Sequence, residues 1–270
     1  MRLPKEHPMK NHVLAALATA QLALLSAPAF AQEVPKHLQL ARDFVTNTKQ
    51  ENNEYSNTQV LVRMPGEKGA TDYIVHTDCT GFVESMLRRT KSGVLEQMQS
   101  KKFTTRHSIY DYHPSIEKGE AFERITKVTD LKPGDVVAWL YVNKKGHTAA
   151  GHILFVDEVP VKVKSRLPYA WNSTQYEVRI IDTSQEAKSR DDTRYVSDAG
   201  LRDENEARGK ENGTIASPNF KGVGRGTIRF YADDTSGEIK GIAYNIDNAK
   251  FHAQGTDWNI VMGRPKLIAN

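Results

Sequence analysis

The feature that most constrains this chain is a change of periodicity near Leu131. Upstream of it, apolar residues recur at helical spacing; downstream, they come in short β-prone runs. Leu38, Ala41 and Val45 fall on one face of a helix predicted over about 37–49, with Leu40 and Phe44 beside them. Pro35 lies near its start, where proline is tolerated. Phe82, Val83, Met86 and Leu87 form the stripe of a second helix over about 78–89. Thr77 or Asp78 is placed to cap it, and Arg88 and Arg89 fall in its last turn, where cations complement the helix dipole. Residues 52–77 read as loop, with turns at Pro65-Gly66 and Lys68-Gly69. Residues 92–126 allow further helical turns. Past Leu131, Lys132-Pro133-Gly134-Asp135 is a turn, and strands are predicted over about 136–142, 152–159, 176–182, 227–231 and 239–246. Helices first and strands after imply an α+β domain with an antiparallel sheet.

No internal repeat or long linker divides residues 32–270, so they read as one domain. The first 31 residues stand apart. A basic stretch through Lys10 precedes an apolar run over 13–25 and then Ala29-Phe30-Ala31, the order of a secretory signal peptide cleaved after Ala31. The run is shorter than the roughly 20 residues a membrane span needs, and no later run is apolar enough to serve. Residue 32 is Gln, which offers no lipid attachment. The expected location is therefore periplasmic or secreted. Arg2, Lys5, Lys10 and Glu6 go with the leader, so 37 basic and 33 acidic residues become 34 and 32. That near-balance gives no pull toward nucleic acid. The oligomeric state is left open.

Exported chains usually hold cysteines in pairs. This one has a single cysteine, Cys79. It is an intermolecular link, a small buried apolar residue or a reactive thiol. A thiol hydrolase needs an ionised thiol, a base within reach and a third polar group to orient that base. A helix N-terminus favours the thiolate, and Cys79 falls at one, on the same face as Val83 and Met86. Nine histidines are present, but no His-Glu-x-x-His run and no paired-Cys site, so neither a metal nor another cofactor is expected.

Three motifs then appear in order. Asp78-Cys79-Thr80-Gly81-Phe82-Val83 resembles the Asp-Cys-Ser-Gly-Phe-Val signature of the NlpC family of papain-like cysteine peptidases, with Thr80 where Ser is usual. Leu131-Lys132-Pro133-Gly134-Asp135-Val136-Val137-Ala138-Trp139 resembles that family's Pro-Gly-Asp turn into a strand, and Gly151-His152-Ile153-Leu154-Phe155-Val156 its histidine strand. The resemblance spans residues 78–156. It implies a papain-like NlpC fold, in which N-terminal helices, with the nucleophile at a helix N-terminus, pack on an antiparallel sheet. It implies Cys79 as nucleophile and His152 as general base and then acid. The third position is a polar residue on the next strand, for which Asp182 is the candidate, holding the imidazole tautomer. The family oxyanion hole uses the nucleophile's own N–H and an upstream tyrosine. Tyr73 is the nearest and Tyr55 the second choice; Asp78 is the other candidate contact to oxyanion or substrate. His147 competes with His152, which a strand fixes more firmly than a Lys-Gly loop. Asp135 and Trp139 read as structural and His76 as an exposed loop residue.

The implied activity is that of an exported hydrolase cleaving an amide bond, first among them those of peptidoglycan stem peptides, through a thioester that water cleaves. The implied partner is a cell-wall peptide. An amine in place of water would make the chain an acyltransferase or transpeptidase. Loss of activity on the same fold would leave a cell-wall binding module. Residues 185–226 are charged and poor in large apolar side chains. They read as a solvated insertion or, because they follow Asp182, as a lid over the substrate groove. Trimming residues 190–215 is expected to alter turnover and spare folding.

Overall fold

A computed structural model describes residues 33–98, 106–143, 149–189, 191–195, 221–246 and 250–268. The expected leader and His147 lie outside the described residues. Helix α1 (Lys36–Asn47) follows Pro35 and buries His37, Leu38, Ala41 and Phe44. Helix α2 (Cys79–Arg89) buries Phe82, Val83, Met86 and Leu87 completely. At about 1.5–3 kcal/mol for each such side chain removed from water, this stripe is what docks α2. Helices α3 (Val94–Gln97) and α4 (Ile109–Glu117) follow. Ser108 and Asp111 close a capping box at the start of α4.

Residues 52–77 are not all loop. Strands β1 (Asn53–Tyr55), β2 (Leu61–Arg63) and β3 (Ile74–Thr77) form a small sheet in the order β1-β3-β2. The second sheet contains β4 (Phe122–Ile125), β5 (Val136–Tyr141), β6 (Gly151–Val156), β7 (Val161–Val163), β8 (Ser173–Ser184), β9 (Gly222–Asp233), β10 (Ile239–Ala243), β11 (Phe251–Ala253) and β12 (Trp258–Pro265). Its order is β11-β10-β9-β8-β6-β5-β12-β4, with β7 on β8, and its pairings are antiparallel. The fold is therefore α+β, with few helices and mostly antiparallel pairing.

Side-chain alternation along these strands makes two cores. Val136, Ala138, Ile153, Phe155 and Ile181 face the helices. Val137, Trp139, Leu154, Val156 and Ile180 face the other way. On that second side the sheet curls until its ends meet. Val128 N donates to Gly237 O (3.2 Å) and Ile239 N to Thr126 O (3.3 Å), beside a Lys127–Glu238 bridge. The Gln254 amide donates to Ile260 O (3.0 Å) and accepts from Ile260 N (2.7 Å), standing in for a strand between β11 and β12. The second core is thus the inside of a barrel-like sheet.

The Pro-Gly-Asp turn is pinned on both sides. Lys132 N donates to Asp135 Oδ2 (2.7 Å), and Arg264 clasps the same carboxylate through two bonds of 2.9 Å. Gly134 has φ +92°, and a Cβ there would lie 2.8 Å from the Pro35 ring, so only glycine fits. His37 Nε2 bonds to Gly134 O (2.9 Å), and Arg42 binds both the Asp157 carboxylate and its carbonyl (2.7 Å each). These contacts fix α1 to the turns that begin β5 and end β6. Val34–Asn270 form one compact unit.

Candidate active site

Cys79 is the first residue of α2, and Asp78 is its cap. The Asp78 carboxylate accepts from Gly81 N (2.8 Å) and from the Thr80 hydroxyl (3.1 Å), and it pairs with Arg106. Arg106 also bonds the Thr80 hydroxyl (2.7 Å). A Cβ at Gly81 would fall 2.2 Å from the Thr77 hydroxyl. The Asp-Cys-Thr-Gly run therefore has a local reason at each position: a cap, the thiol, an Arg106 contact and a close approach.

The thiol is 6% exposed and lies against the backbone of Ile153 and Thr80. The Ile153 N–H is available because of how β6 pairs. Tyr141 N→Ala150 O and Val156 N→Asp135 O put the even residues of β6 in the hydrogen-bonded register with β5, so the odd N–H groups point toward β8. Pairing between β6 and β8 is confined to Phe155 with Ile181 and Val156 with Ile180. Past Phe155 the strands part, and Cys79 sits at the seam. Burial pushes the thiol up to about 12; the Asp78 charge and, less strongly, Asp182 add to this, while the Ile153 and Thr80 N–H groups oppose it. The resting sulfur is a neutral thiol. Asp78→Asn keeps a capping side chain but removes the charge. It is expected to lower the thiol pKa and to speed iodoacetamide alkylation of the native protein at pH 8 by about 3- to 10-fold, one pKa unit being about tenfold in thiolate. An unchanged rate would show that the Asp78 charge does not reach the sulfur.

His152 points to the opposite side of β6 from Ile153, into the mouth of the barrel. Its ring lies 5.0 Å from that of Trp139 and 5.3 Å from that of Tyr244. Its Nε2 is 2.7 Å from Asp182 Oδ2, and the Tyr244 hydroxyl is 2.9 Å from Nε2 and donates to the same carboxylate oxygen at 2.8 Å. A carboxylate at that distance places the proton on Nε2 and leaves Nδ1 as the basic nitrogen. Burial lowers the His152 pKa, and Asp182 offsets part of the drop. Among the described residues no hydrogen bond joins the imidazole to the thiol, so the two approach the end of β6 from different sides.

Asp182 is the hub. Arg194 binds its carboxylate and also donates to its backbone carbonyl (2.7 Å), and Lys188 Nζ lies 3.9 Å from Oδ2. Burial alone would raise the Asp182 pKa, but Arg194, Lys188 and His152 outweigh it and hold the carboxyl well below the usual range. Asp192 caps the arrangement by accepting from Lys188 N, Arg194 N and Arg194 Nη1 at 2.8–2.9 Å. Lys188 also bonds the Ser184 hydroxyl (2.7 Å) and stands 3.8 Å over the Tyr244 ring. Burial lowers its pKa to about 8 against the pull of Asp182.

These partners correct the reading of 185–226 as a solvated insertion. Its first part is core: Ala187, Lys188, Ser189, Asp192 and Arg194 are buried. Their charge is hidden by pairing. Trimming from residue 190 would remove Asp192 and Arg194, so the expectation that such a cut spares folding does not hold for residues 191–195. Residues 196–220 lie outside the described residues.

The two tyrosines considered for the oxyanion sit differently. Tyr73 packs edge-on against Phe44, ring centres 5.1 Å apart, in the helix-side core. Tyr55 instead ends β1, opposite Thr77. Burial raises its hydroxyl pKa, and the charges of Cys79, Asp78, Tyr141 and Asp182 raise it further. Tyr141 responds to Cys79 in the same sense. Tyr55 and Tyr141 thus lie within electrostatic reach of Cys79. Tyr244 was not singled out from sequence; an aromatic residue in an apolar run carries no mark of its hydroxyl's partners. His76 lies on β3, half-buried, with Gln59 3.2 Å from its Nδ1, and is not an exposed loop residue. Among the described residues no group of three His, Cys, Asp or Glu side chains could hold a metal ion, and no helix is long and apolar enough to cross a membrane.

No family model matches the chain, and no solved structure matches it. An uncharacterized protein of Acanthamoeba polyphaga mimivirus is similar, with 27% identity over 217 residues, covering 78% of this chain and 87% of that protein.

Proposed function

We propose that this chain is a papain-like cysteine hydrolase of the NlpC kind, exported by its N-terminal leader and acting on amide bonds of peptidoglycan stem peptides. One observation carries the reading. A thiol at a helix N-terminus and a buried His152–Asp182 pair 2.7 Å apart lie on opposite faces of the same end of β6, where that strand parts from β8. This is the nucleophile, base and orienting group that thiol hydrolysis needs. The substrate class comes from the sequence resemblance and the expected export.

In this reading the imidazole swings round the end of β6 to the sulfur as the substrate carbonyl enters the seam, and the thiol proton passes to His152 Nδ1. Sulfur attacks the carbonyl carbon, and the oxyanion faces the Cys79 N–H and the Tyr55 hydroxyl. Collapse breaks the C–N bond, and His152 gives its proton to the leaving amine. Water, deprotonated by His152, then cleaves the thioester and frees the thiol. Asp182 stays ionised throughout and stabilises the imidazolium.

A second reading keeps the fold as a cell-wall binding module. It is favoured by the 6% exposure of Cys79 and its thiol pKa of about 12. Digestion of purified peptidoglycan by the full chain, with mass analysis of soluble fragments, separates the two. Hydrolysis is expected to release stem peptides with new termini. Fragments carrying an added amine, when glycinamide is supplied, would move the assignment to acyl transfer. Binding to the insoluble wall with no fragments would leave the module.

A further inference from the structure

The loop between β7 and β8 carries side chains that the site does not use. Leu167 is 71% exposed, Tyr169 64% and Trp171 91%. Contiguous exposure of large apolar groups marks an interaction surface. The loop is not loosely held. Gln175, Arg229 and Tyr231 are buried, and all three turn their polar atoms to its backbone. Gln175 donates to Arg166 O (2.7 Å), Arg229 to Leu167 O (2.9 Å) and Tyr231 to Pro168 O (2.8 Å). Ser173 and Lys240 bind Ala170 O (2.7 Å) and Trp171 O (2.8 Å). The backbone is fixed from below and alternate side chains stand outward, which is the preorganised form of a docking tip.

The charge beside this tip selects the partner. Lys162 and Lys164, on and just after β7, are exposed and make no ion pair among the described residues. An aliphatic and two aromatic side chains next to free lysines match a lipid interface: the rings settle at headgroup depth, and cations meet anionic phosphates. A glycan platform would also place hydrogen-bonding side chains beside the rings; here Gln175, Arg229 Nη1 and Tyr231 turn their hydrogen bonds to the loop's own backbone. We propose that this loop docks the protein on the surface of an anionic phospholipid bilayer. The proposal is independent of the reading of Cys79. It has a geometric consequence: β8 runs from this loop to Asp182, about 30 Å at 3.3 Å per residue, so the Cys79 end of the barrel faces away from the bilayer.

The test uses the full chain and vesicles of phosphatidylcholine with or without one-third phosphatidylglycerol, made with brominated acyl chains. The chain has three tryptophans, and Trp139 and Trp258 are buried, so bromine quenching reports Trp171. The leader has no tryptophan. Binding by the leader alone therefore sediments the protein without quenching it. Quenching with a blue shift is expected on anionic vesicles and is expected to vanish in Trp171→Phe. Leu167→Ser is expected to weaken vesicle binding about tenfold, and Lys162→Gln about fivefold at low salt, with little change on neutral vesicles. No quenching on either vesicle overturns the proposal. Retention on insoluble peptidoglycan that Trp171→Ala abolishes, without a vesicle response, assigns the loop to a glycan instead. A dimer that Trp171→Ala dissociates assigns it to a second copy.

Discussion

Cys79→Ala is expected to end the release of peptidoglycan fragments, a loss of about 10⁴-fold or more in kcat, while the protein stays folded. The side chain is small and its cavity partly shared with solvent at the seam, so the stability change is about 1 kcal/mol. Urea denaturation of both forms checks the second half. The comparison matters because the same residue serves the second reading, in which it only fills space at the barrel's edge. Identical fragments from the wild type and Cys79→Ala would remove the nucleophile assignment. The neutral resting thiol adds a constraint. On the hydrolase reading the reaction starts from the thiol and a neutral imidazole, since burial lowers the His152 pKa and raises that of Cys79. Activity is therefore expected to depend on substrate entering the seam, and alkylation of the free protein to underreport it.

Asp182→Ala carries the largest expected loss of stability, about 3–5 kcal/mol. It leaves Arg194 and Lys188 buried without their shared anion. Adding Arg194→Leu is expected to return only part of that loss, because it removes one buried cation but takes from Asp192 its partner at 2.8 Å. A denaturant series on the two single variants and the double variant measures this. If the single variant loses less than about 1 kcal/mol, the cluster does not hold the fold together. The pH dependence follows from the same group. Asp182 and His152 both have lowered pKa values in the folded chain. Their contributions are complete above the unfolded values, about 3.9 and 6.5, and are lost as pH falls through the folded ones. Wild-type stability is thus expected to fall in two ranges, first below about 6.5 and again below about 3.9. The second fall is expected to shrink in Asp182→Ala. Lys188, held at about 8 against 10.5 unfolded, adds a rise in stability across that interval as pH increases.

The sequence showed its long regular segments and hid its short ones. The stripe of Phe82, Val83, Met86 and Leu87 repeats often enough to declare a helix. The apolar residues of 136–141 and 151–156 are β-prone and bounded by Pro133-Gly134 and the glycine of β6. Strands β1 to β3 have three or four residues each, with Val62 and Val75 as their apolar anchors, too few to show a period. Strand β12 was missed although it lies between β5 and β4, because Asn259, Gly263, Arg264 and Pro265 break its apolar run. Gly263 is there for a packing reason: a Cβ would lie 2.8 Å from Ile116 of α4. At the site, Cys79 and His152 were named from the motifs and Asp182 as the polar residue ending the next strand, and His152 and Asp182 prove to be bonded neighbours. Lys188, Asp192 and Arg194 could not be found that way. Charge in a sequence reads as solvation, and only the fold reveals that these three are held out of water by Asp182, by one another's backbone and by Ser184.

Arg194 has one more effect, on chain connectivity. It donates to Gly222 O (3.1 Å), while Thr193 Oγ1 accepts from Arg225 N (2.9 Å). The chain leaving at Tyr195 is therefore fastened to the chain returning at Gly222, and the barrel's closure does not depend on the covalent path between them. A cut between these two fastened ends is expected to leave two fragments that still copurify.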